Sequence, residues 1–370
     1  MPISAGFHLL KKSPKENLVQ PMVIEILVER SPLWLSCALQ HSTGTLLSGK
    51  FVLHVFESTV AVDLFRARLS CTTTTLRSFH NKCPSCNSHE FEVEQWNIWE
   101  NSRILSKGEH EFPFSVVVPS HLPITTHGLL GHIDYHLMVE MLTPEQKSIR
   151  ADIKVDIKRN SPLCEEINAR QSFPSSDLTA QCTYPSIIHP DEEFPLRMQL
   201  KGTTSWLNNI KVRLCLQKLA WHIEEVQELV SLACPLHASK IARTRKSILH
   251  TDTRKVGHGE IQSGWNVDFD EGSIIVEFLA VVNSQSKPIC DVDSKTGLSV
   301  SHSLVLEMTV AHEFCLRKNP AQMAPSTANK ILRTRFPVVL THKNLSGMDG
   351  VEEWLPTYNV EPPVYVQLHG

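Results

Sequence analysis

The chain has 370 residues, of which 41% are apolar and 20% charged, and its formal net charge is −3. That is enough apolar material for two folded domains with real cores, and the near-neutral balance excludes a general pull toward nucleic acid. No apolar run reaches the length of about 18 residues that a membrane helix needs. Met1 to Lys12 also lacks the charged, apolar and small-residue series of a secretory signal, so a cytosolic chain is expected.

The dominant periodicity is two, the alternation of a strand with one buried face. Residues 1–20 read as a flexible N-terminus. Met22 to Glu29 is the first apolar-rich run, and Ser48-Gly49 is a turn signal ahead of Phe51 to Glu57. Val60 to Leu69 continues, with Val60, Val62 and Leu64 on one face. Glu90 to Trp96, Glu109 to Val118 and His132 to Met141 alternate, and Ile149 to Ile157 closes this half. Strands at such spacing, with few helical stretches between them, imply a β-sandwich over 21–158. Residues 159–177 have the composition of a linker, with Arg159-Asn160-Ser161-Pro162 and Phe173-Pro174-Ser175-Ser176. The strand pattern then restarts at Ala180 to Tyr184, Phe194 to Leu200 and Ile210 to Gln217. It continues at Val267 to Phe269, Ile274 to Val282, Leu304 to Val310 and Arg335 to Leu340. The fold class expected is all-β: two tandem immunoglobulin-like β-sandwiches, the second over 178–341, with a short flexible C-terminal tail over 342–370.

The 10 cysteines are scattered, mostly in strand-like runs where they act as small apolar groups, which fits a reducing compartment. The exception is His80-Asn81-Lys82-Cys83-Pro84-Ser85-Cys86-Asn87-Ser88-His89. Cys-x-x-Cys between histidines has the chemistry of a zinc site, but one short segment is a cramped span for a full ligand set, and no second pair is evident. The reading preferred here is a polar hairpin loop with no metal, and a redox role is weaker still because no βαβ pattern surrounds it. Lys240, Arg243, Arg245, Lys246, Arg254 and Lys255 form a basic, poorly patterned stretch. It can dock an anionic membrane surface or acidic peptide segments, against the plainer reading of a solvated loop. The 19 histidines are dispersed and match no hydrolase, zinc-protease or phosphate-loop motif, so no catalytic residue and no cofactor is assigned.

The C-terminal segment carries the most specific peptide. Pro362-Pro363-Val364-Tyr365 is a PPxY motif, and Leu355-Pro356-Thr357-Tyr358 repeats it with Leu in the first proline position. Consecutive prolines hold the chain near polyproline II before binding, which suits the aromatic grooves of a WW domain. Two weak motifs in tandem gain from effective concentration when the partner has several such domains.

Two tandem sandwiches followed by paired proline–tyrosine motifs resemble the α-arrestins of fungi. Further likeness lies in Leu46 to Leu53, in Lys107-Gly108-Glu109-His110-Glu111-Phe112-Pro113-Phe114, and in Pro119-Ser120-His121-Leu122-Pro123. It continues in Ile133 to Leu137, Gln217 to Glu225, Val300 to Leu306 and Phe336 to Thr341. The order of these stretches is similar to that of the low-dye-binding subgroup of arrestin-related trafficking adaptors. The resemblance implies an arrestin fold and no enzymatic activity. It implies an adaptor that recruits a Nedd4-type HECT ubiquitin ligase to plasma-membrane transporters, promoting their ubiquitination and endocytosis, with ubiquitin also placed on a lysine of the adaptor. Pro362, Pro363 and Tyr365 match the ligase-docking motif. Pro356 and Tyr358 match the second one, which Leu355 weakens. The location implied is cytoplasmic, with peripheral recruitment to plasma membrane, Golgi or endosomes. Two rivals stand beside this reading: an arrestin-fold trafficking scaffold independent of the ligase, and a zinc-binding or redox protein built on the Cys83–Cys86 loop.

Overall fold

The computed structural model describes residues 21–36, 44–80, 82–160, 164–174, 176–207, 210–238, 247–316 and 323–343. In chain order the first half comprises β1 (Met22–Val28), β2 (Leu33–Ser36), β3 (Thr45–Val62) and β4 (Leu64–Thr75), then a one-turn helix α1 (Pro84–Asn87). β5 (Ser88–Trp99), β6 (Arg103–Val118), β7 (Thr126–His127), β8 (Gly131–Leu142), β9 (Ser148–Val155) and β10 (Ile157–Asn160) follow. One sheet has the order β1-β3-β6, and the facing sheet has the order β5-β4-β8-β7 with β9 also on β8; β10 pairs in parallel with β2. Alternation drives this packing. In β4, Phe65, Ala67, Leu69 and Cys71 are buried at every second position, and Ile133, Tyr135, Leu137, Val139 and Met141 do the same in β8. Phe51 stacks on Phe114 with ring centroids 4.4 Å apart. The buried Tyr135 hydroxyl donates to the Pro123 carbonyl at 2.6 Å, so the one polar atom of that ring is satisfied.

The second half comprises β11 (Glu166–Ser172), β12 (Thr179–Pro185), β13 (Ile187–Ile188), β14 (Glu193–Lys201), β15 (Thr204–Leu207) and β16 (Ile210–Leu232). After a second one-turn helix, α2 (Pro235–Ala238), come β17 (Ser247–Ile261), β18 (Asn266–Asp268), β19 (Ser273–Val281), β20 (Val292–Asp293), β21 (Leu298–Leu316) and β22 (Met323–Leu340). One sheet has the order β11-β12-β14-β19-β18. The other runs β13-β22-β21-β16-β15, with β17 on β16 and β20 on β21.

Two apolar cores result, and they are joined. The second is filled by Ala180, Met198, Leu219, Ile223, Val276, Leu304, Leu306 and Phe336, among others. The first contains, besides its own strands, Leu229, Cys290, Val292, Leu298 and Val300 from the second half. β16 is 23 residues long and bridges them: Leu214, Leu216, Leu219 and Ile223 pack in the second core while Leu229 packs in the first.

The structure corrects several expectations. Ser48-Gly49 is not a turn; both residues lie inside β3. Gly49 is required there because a Cβ would sit 2.1 Å from the Leu27 carbonyl oxygen, against the adjoining strand. Val60 to Leu69 is not one strand, since Asp63 separates β3 from β4 and donates its N–H to Leu142 O at 2.8 Å. The linker over 159–177 contains a full edge strand, because β11 pairs with β12 from Glu166↔Pro185 to Ser172↔Thr179. Its polar composition reflects an edge with little apolar burial. The basic stretch is not a loop from Ser247 onward, where β17 forms the return strand of a hairpin with β16.

Leu229→Ala removes a buried side chain that one half contributes to the core of the other. Equilibrium denaturation of the full chain should show a loss of about 2–5 kcal/mol. The shift should appear in probes of the first sandwich, such as fluorescence of Trp96 and Trp99. A shift confined to the second sandwich would show that the shared core does not bear load.

Candidate functional site

Two one-turn helices with the same build meet where the halves join. Cys83-Pro84-Ser85-Cys86 lies in the connection from β4 to β5, and Cys234-Pro235-Leu236-His237 follows β16. In each, a cysteine precedes the turn, proline occupies the first helical position, and the second polar side chain stands three residues on. Proline suits that position because its missing N–H would be unpaired there. The backbone bonds are matched. Cys86 and Asn87 donate to the Cys83 carbonyl at 3.0 and 3.1 Å, and His237 and Ala238 donate to the Cys234 carbonyl at 2.9 and 2.8 Å. Each turn therefore presents two side chains on one side.

The four side chains converge. Cys83 Sγ lies 3.8 Å from Cys234 Sγ. His237 Nδ1 lies 3.5 Å from Cys86 Sγ and 3.2 Å from Cys234 Sγ. All four ligand-type atoms fall within 4.8 Å of one another, and no other such group occurs among the described residues. Cys86 and Cys234 are buried, while Cys83 and His237 are half-buried. The surroundings hold both turns in place. The Thr75 hydroxyl donates to the carbonyls of Cys86 and Asn87 at 3.2 Å each. The His80 ring stacks on His237 at 4.5 Å, and Ser231 Oγ donates to the Arg77 carbonyl. Burial pushes the Cys86 thiol above its ordinary range. Burial acts the same way on Cys234, but His237 and the neighbouring cysteines outweigh it and hold that thiol below its ordinary range.

A second polar cluster lies at the same joint. Along the inner face of β16 the apolar residues Trp221 and Ile223 give way to Glu225 and Gln227 before Leu229 resumes the pattern, and all five are buried. Register places Glu225 opposite Arg254 of β17 and His302 of β21. Arg254 grips the carboxylate with two of its nitrogens, Nε to Oε1 at 2.7 Å and Nη2 to Oε2 at 3.0 Å. It also donates to the carbonyls of Ser286 and Lys287 at 3.2 and 2.7 Å. The Ile289 N–H donates to Glu225 at 2.9 Å and Gln227 Nε2 does so at 2.7 Å. Gln227 Oε1 in turn accepts the Leu129 N–H of the first sandwich at 2.8 Å. Gly128 permits this approach, since a Cβ there would stand 2.7 Å from that oxygen. On the other side His302, fully buried, donates from Nδ1 to Asp291 at 2.6 Å, and its Nε2 lies 3.5 Å from Glu225. Asp291 also accepts the N–H of Leu340, the last residue of β22, at 2.8 Å. A cavity of about 480 Å³ opens beside this cluster between the halves, lined in part by Asp134, Lys154, Lys158, Ile289 and His342.

The sequence-assigned residues fall differently. Pro362, Pro363, Tyr365, Leu355, Pro356 and Tyr358, and likewise Lys240, Arg243, Arg245 and Lys246, lie outside the described residues. Arg254 does not belong to a docking patch; its guanidinium is committed to Glu225 and two carbonyls. Lys255, its neighbour on the strand, faces the other way and is exposed. His127 contacts Asp134 at 3.1 Å and the His132 ring at 5.3 Å, whereas His110 bonds the Ser106 carbonyl, so the histidines of this sandwich do not gather into one site. The objection to metal at Cys83 and Cys86, that no second pair exists, is removed by Cys234 and His237. The missed signal was the repeated Cys-Pro-x-(Cys/His) spacing.

Comparison with known proteins agrees with the architecture. Residues 65–241 match the LDB19 family model, described as arrestin N-terminal like. That segment runs from β4 through both one-turn helices. An uncharacterized protein of Schizosaccharomyces pombe is 29% identical over 354 residues, covering 94% of this chain and 90% of that protein. Protein LDB19 of Saccharomyces cerevisiae is 24% identical over 197 residues, 47% of this chain and 24% of the relative. Protein LDB19 of Eremothecium gossypii is 27% identical over 237 residues, 60% of this chain and 34% of the relative. The chain thus spans most of the first relative but only a minor part of the LDB19 proteins. These matches support a fungal α-arrestin-type protein, and the all-β architecture is consistent with an arrestin fold. That family supports a trafficking-adaptor role and is generally non-enzymatic.

The Glu225 cluster makes stability depend on pH from both sides. Burial would raise the Glu225 carboxyl, but His302, Arg254, the Ile289 amide and Gln227 outweigh it and bring it from 4.5 to about 2. Its contribution is complete above pH 4.5 and is lost as pH falls toward 2. Burial would lower His302, but Asp291 and then Glu225 raise it above 6.5. Its contribution is complete below pH 6.5 and is lost as pH rises through the raised value. Denaturation midpoints across this range should fall at both ends, and His302→Gln should abolish the upper arm and also weaken the acid arm, because Glu225 loses one of its partners. Arg254→Ala, which strands a buried carboxylate, should cost about 3–5 kcal/mol at neutral pH. A loss under about 1 kcal/mol, the scale of a surface pair, would mean that Glu225 finds other partners or water.

Proposed function

We propose that this chain is an adaptor that brings a Nedd4-type HECT ubiquitin ligase to plasma-membrane transporters, so that they are ubiquitinated and endocytosed. The observation that carries the reading is an arrestin-type body followed by Pro362-Pro363-Val364-Tyr365 and Leu355-Pro356-Thr357-Tyr358. The prolines favour the extended conformation a WW groove takes, and each tyrosine supplies the ring for its second pocket. Tethering then makes the encounter between ligase and cargo effectively intramolecular. The reading involves no catalytic step by this chain. It places the protein in the cytoplasm with peripheral recruitment to plasma membrane, Golgi or endosomes, and it has ubiquitin placed on one of the chain's own lysines. Cargo tails or anionic lipid would meet the basic residues Lys240, Arg243, Arg245, Lys246 and the exposed Lys255.

Binding of the full chain to the tandem WW domains of such a ligase tests the reading. Tyr365→Ala should weaken binding about tenfold or more, equal to about 1.4 kcal/mol. Tyr358→Ala should weaken it less, because Leu355 already replaces a proline, and the double change should abolish it. Failure of the unaltered chain to bind would remove ligase recruitment through these motifs and leave a ligase-independent arrestin-fold scaffold.

A further inference from the structure

We infer that Cys83, Cys86, Cys234 and His237 form a structural zinc site that staples the first sandwich to the second. Three independent observations converge on it. The two turns share one build, cysteine then proline then a second ligand three residues after the first, so each delivers a pair of donors. The donor set is three thiolates and one imidazole, which zinc takes in closed structural sites. The distances fit one ion. A tetrahedron with Zn–S of about 2.3 Å and Zn–N of about 2.0–2.1 Å has S–S edges of about 3.8 Å and S–N edges of about 3.5 Å. The corresponding separations are 3.8 Å for Cys83–Cys234 and 3.5 Å for Cys86–His237. The 3.2 Å Cys234–His237 separation is somewhat shorter than such an edge. Donors gathered within 4.8 Å enclose a single ion and leave no room for a multi-iron cluster.

The site has the character of a staple. Four protein donors fill a tetrahedral shell and leave no open position for substrate water, which separates structural from catalytic zinc. Each pair comes from a different half, and the partners in both cross-pairs are separated by 151 residues. A link that closes so long a loop restricts the unfolded chain strongly. The surroundings support both ends of the site. Thr75 fixes the first turn, and His80 stacks on the imidazole whose Nδ1 faces the thiols. That stacking sets the ring orientation in the way outer partners of metal-bound histidines do. Binding releases the thiol protons to solvent as the thiolates coordinate, with no change of oxidation state.

The test is elemental analysis of the full chain purified under reducing conditions. The expected result is about one zinc per chain, falling to near zero in Cys83→Ser/Cys234→Ser. Those variants can fail to fold, so His237→Cys provides the second arm. It preserves a four-donor shell and should retain zinc, whereas His237→Ala should lose it to a chelator at least tenfold faster than the unaltered chain. Cobalt(II) exchanged into the unaltered chain should give the intense visible bands of a tetrahedral thiolate site. Chelation should lower Tm by about 5 °C or more, and zinc should restore it. A well-folded chain that holds no zinc when zinc is supplied, or one with a Cys83–Cys234 disulfide in its place, overturns the site. A bound zinc whose removal leaves Tm unchanged overturns the staple.

Discussion

The joint between the two sandwiches rests on the length of β16. At about 3.3 Å per residue, 23 residues extend some 75 Å, more than one sandwich can cover. Its N-terminal part is central in the second sandwich, flanked by β21 and β15, and its C-terminal part places Leu229 in the first core. The hairpin with β17 follows it with a register shift at Ile223/Glu224, just where the strand leaves one core for the other. Such an irregularity increases local twist and re-aims the strand. The relation of the halves is therefore set by a continuous strand as well as by surface contact, and everything at the joint inherits its position from that strand.

This also explains the buried charge there. A strand passing between two apolar cores crosses a zone where neither core fully covers it. Glu225 and Gln227 occupy that zone on the face that Ile223 and Leu229 hold on either side. Burying a carboxylate is costly unless it is paired and hydrogen-bonded, and here every exposed direction is closed by a guanidinium, an amide side chain or a backbone N–H. The gain lies in specificity: an apolar pair would tolerate sliding, whereas a two-pronged guanidinium contact with fixed carbonyls tolerates little. The same cluster reaches the end of β22, where Asp291 and Leu340 exchange two backbone-directed bonds.

Much of the architecture was legible in period-2 alternation. The strands β1, β5, β8, β14 and β19 stand where the pattern placed them, because each turns alternate apolar residues toward an ordinary core. What escaped has a common cause. The second half of β16 carries Glu225 and Gln227 on its buried face, so its alternation does not look apolar. β11 is an edge and shows composition like that of a loop. Gly49 resembles a turn residue and is in fact a point of close strand contact. The metal-type cluster was half visible. Cys83 and Cys86 stood out as a pair, but Cys234 and His237 join them only through the fold, and a Cys-to-His step is a weaker local signal than Cys-to-Cys. Arg254 was legible as a cation but not as a paired one, since its partner is a register neighbour on another strand.

The last described residues, Thr341 to Lys343, lie at this same joint, and that bears on the adaptor reading proposed above. After β22, Thr341 donates its N–H to Ile188 O at 3.1 Å, and its carbonyl faces His189 Nδ1 at 3.0 Å. Lys343 pairs with Glu192 of the second half, while the His342 ring packs edge-on against Trp34 of the first at 6.4 Å. The exit of the chain is thus fixed by both sandwiches. On the proposed reading, a partner held by residues 355–365 is tethered to a chain that leaves the described body beside the cavity between the halves. Effective concentration depends on the distance between tether and target, so a central anchor gives comparable reach toward cargo on either sandwich. An anchor at the far end of one sandwich would favour that side alone. On that reading rigidity at the joint bears on function as well as stability: the narrower the range of orientations between the halves, the more constant the span from the held partner to the cargo.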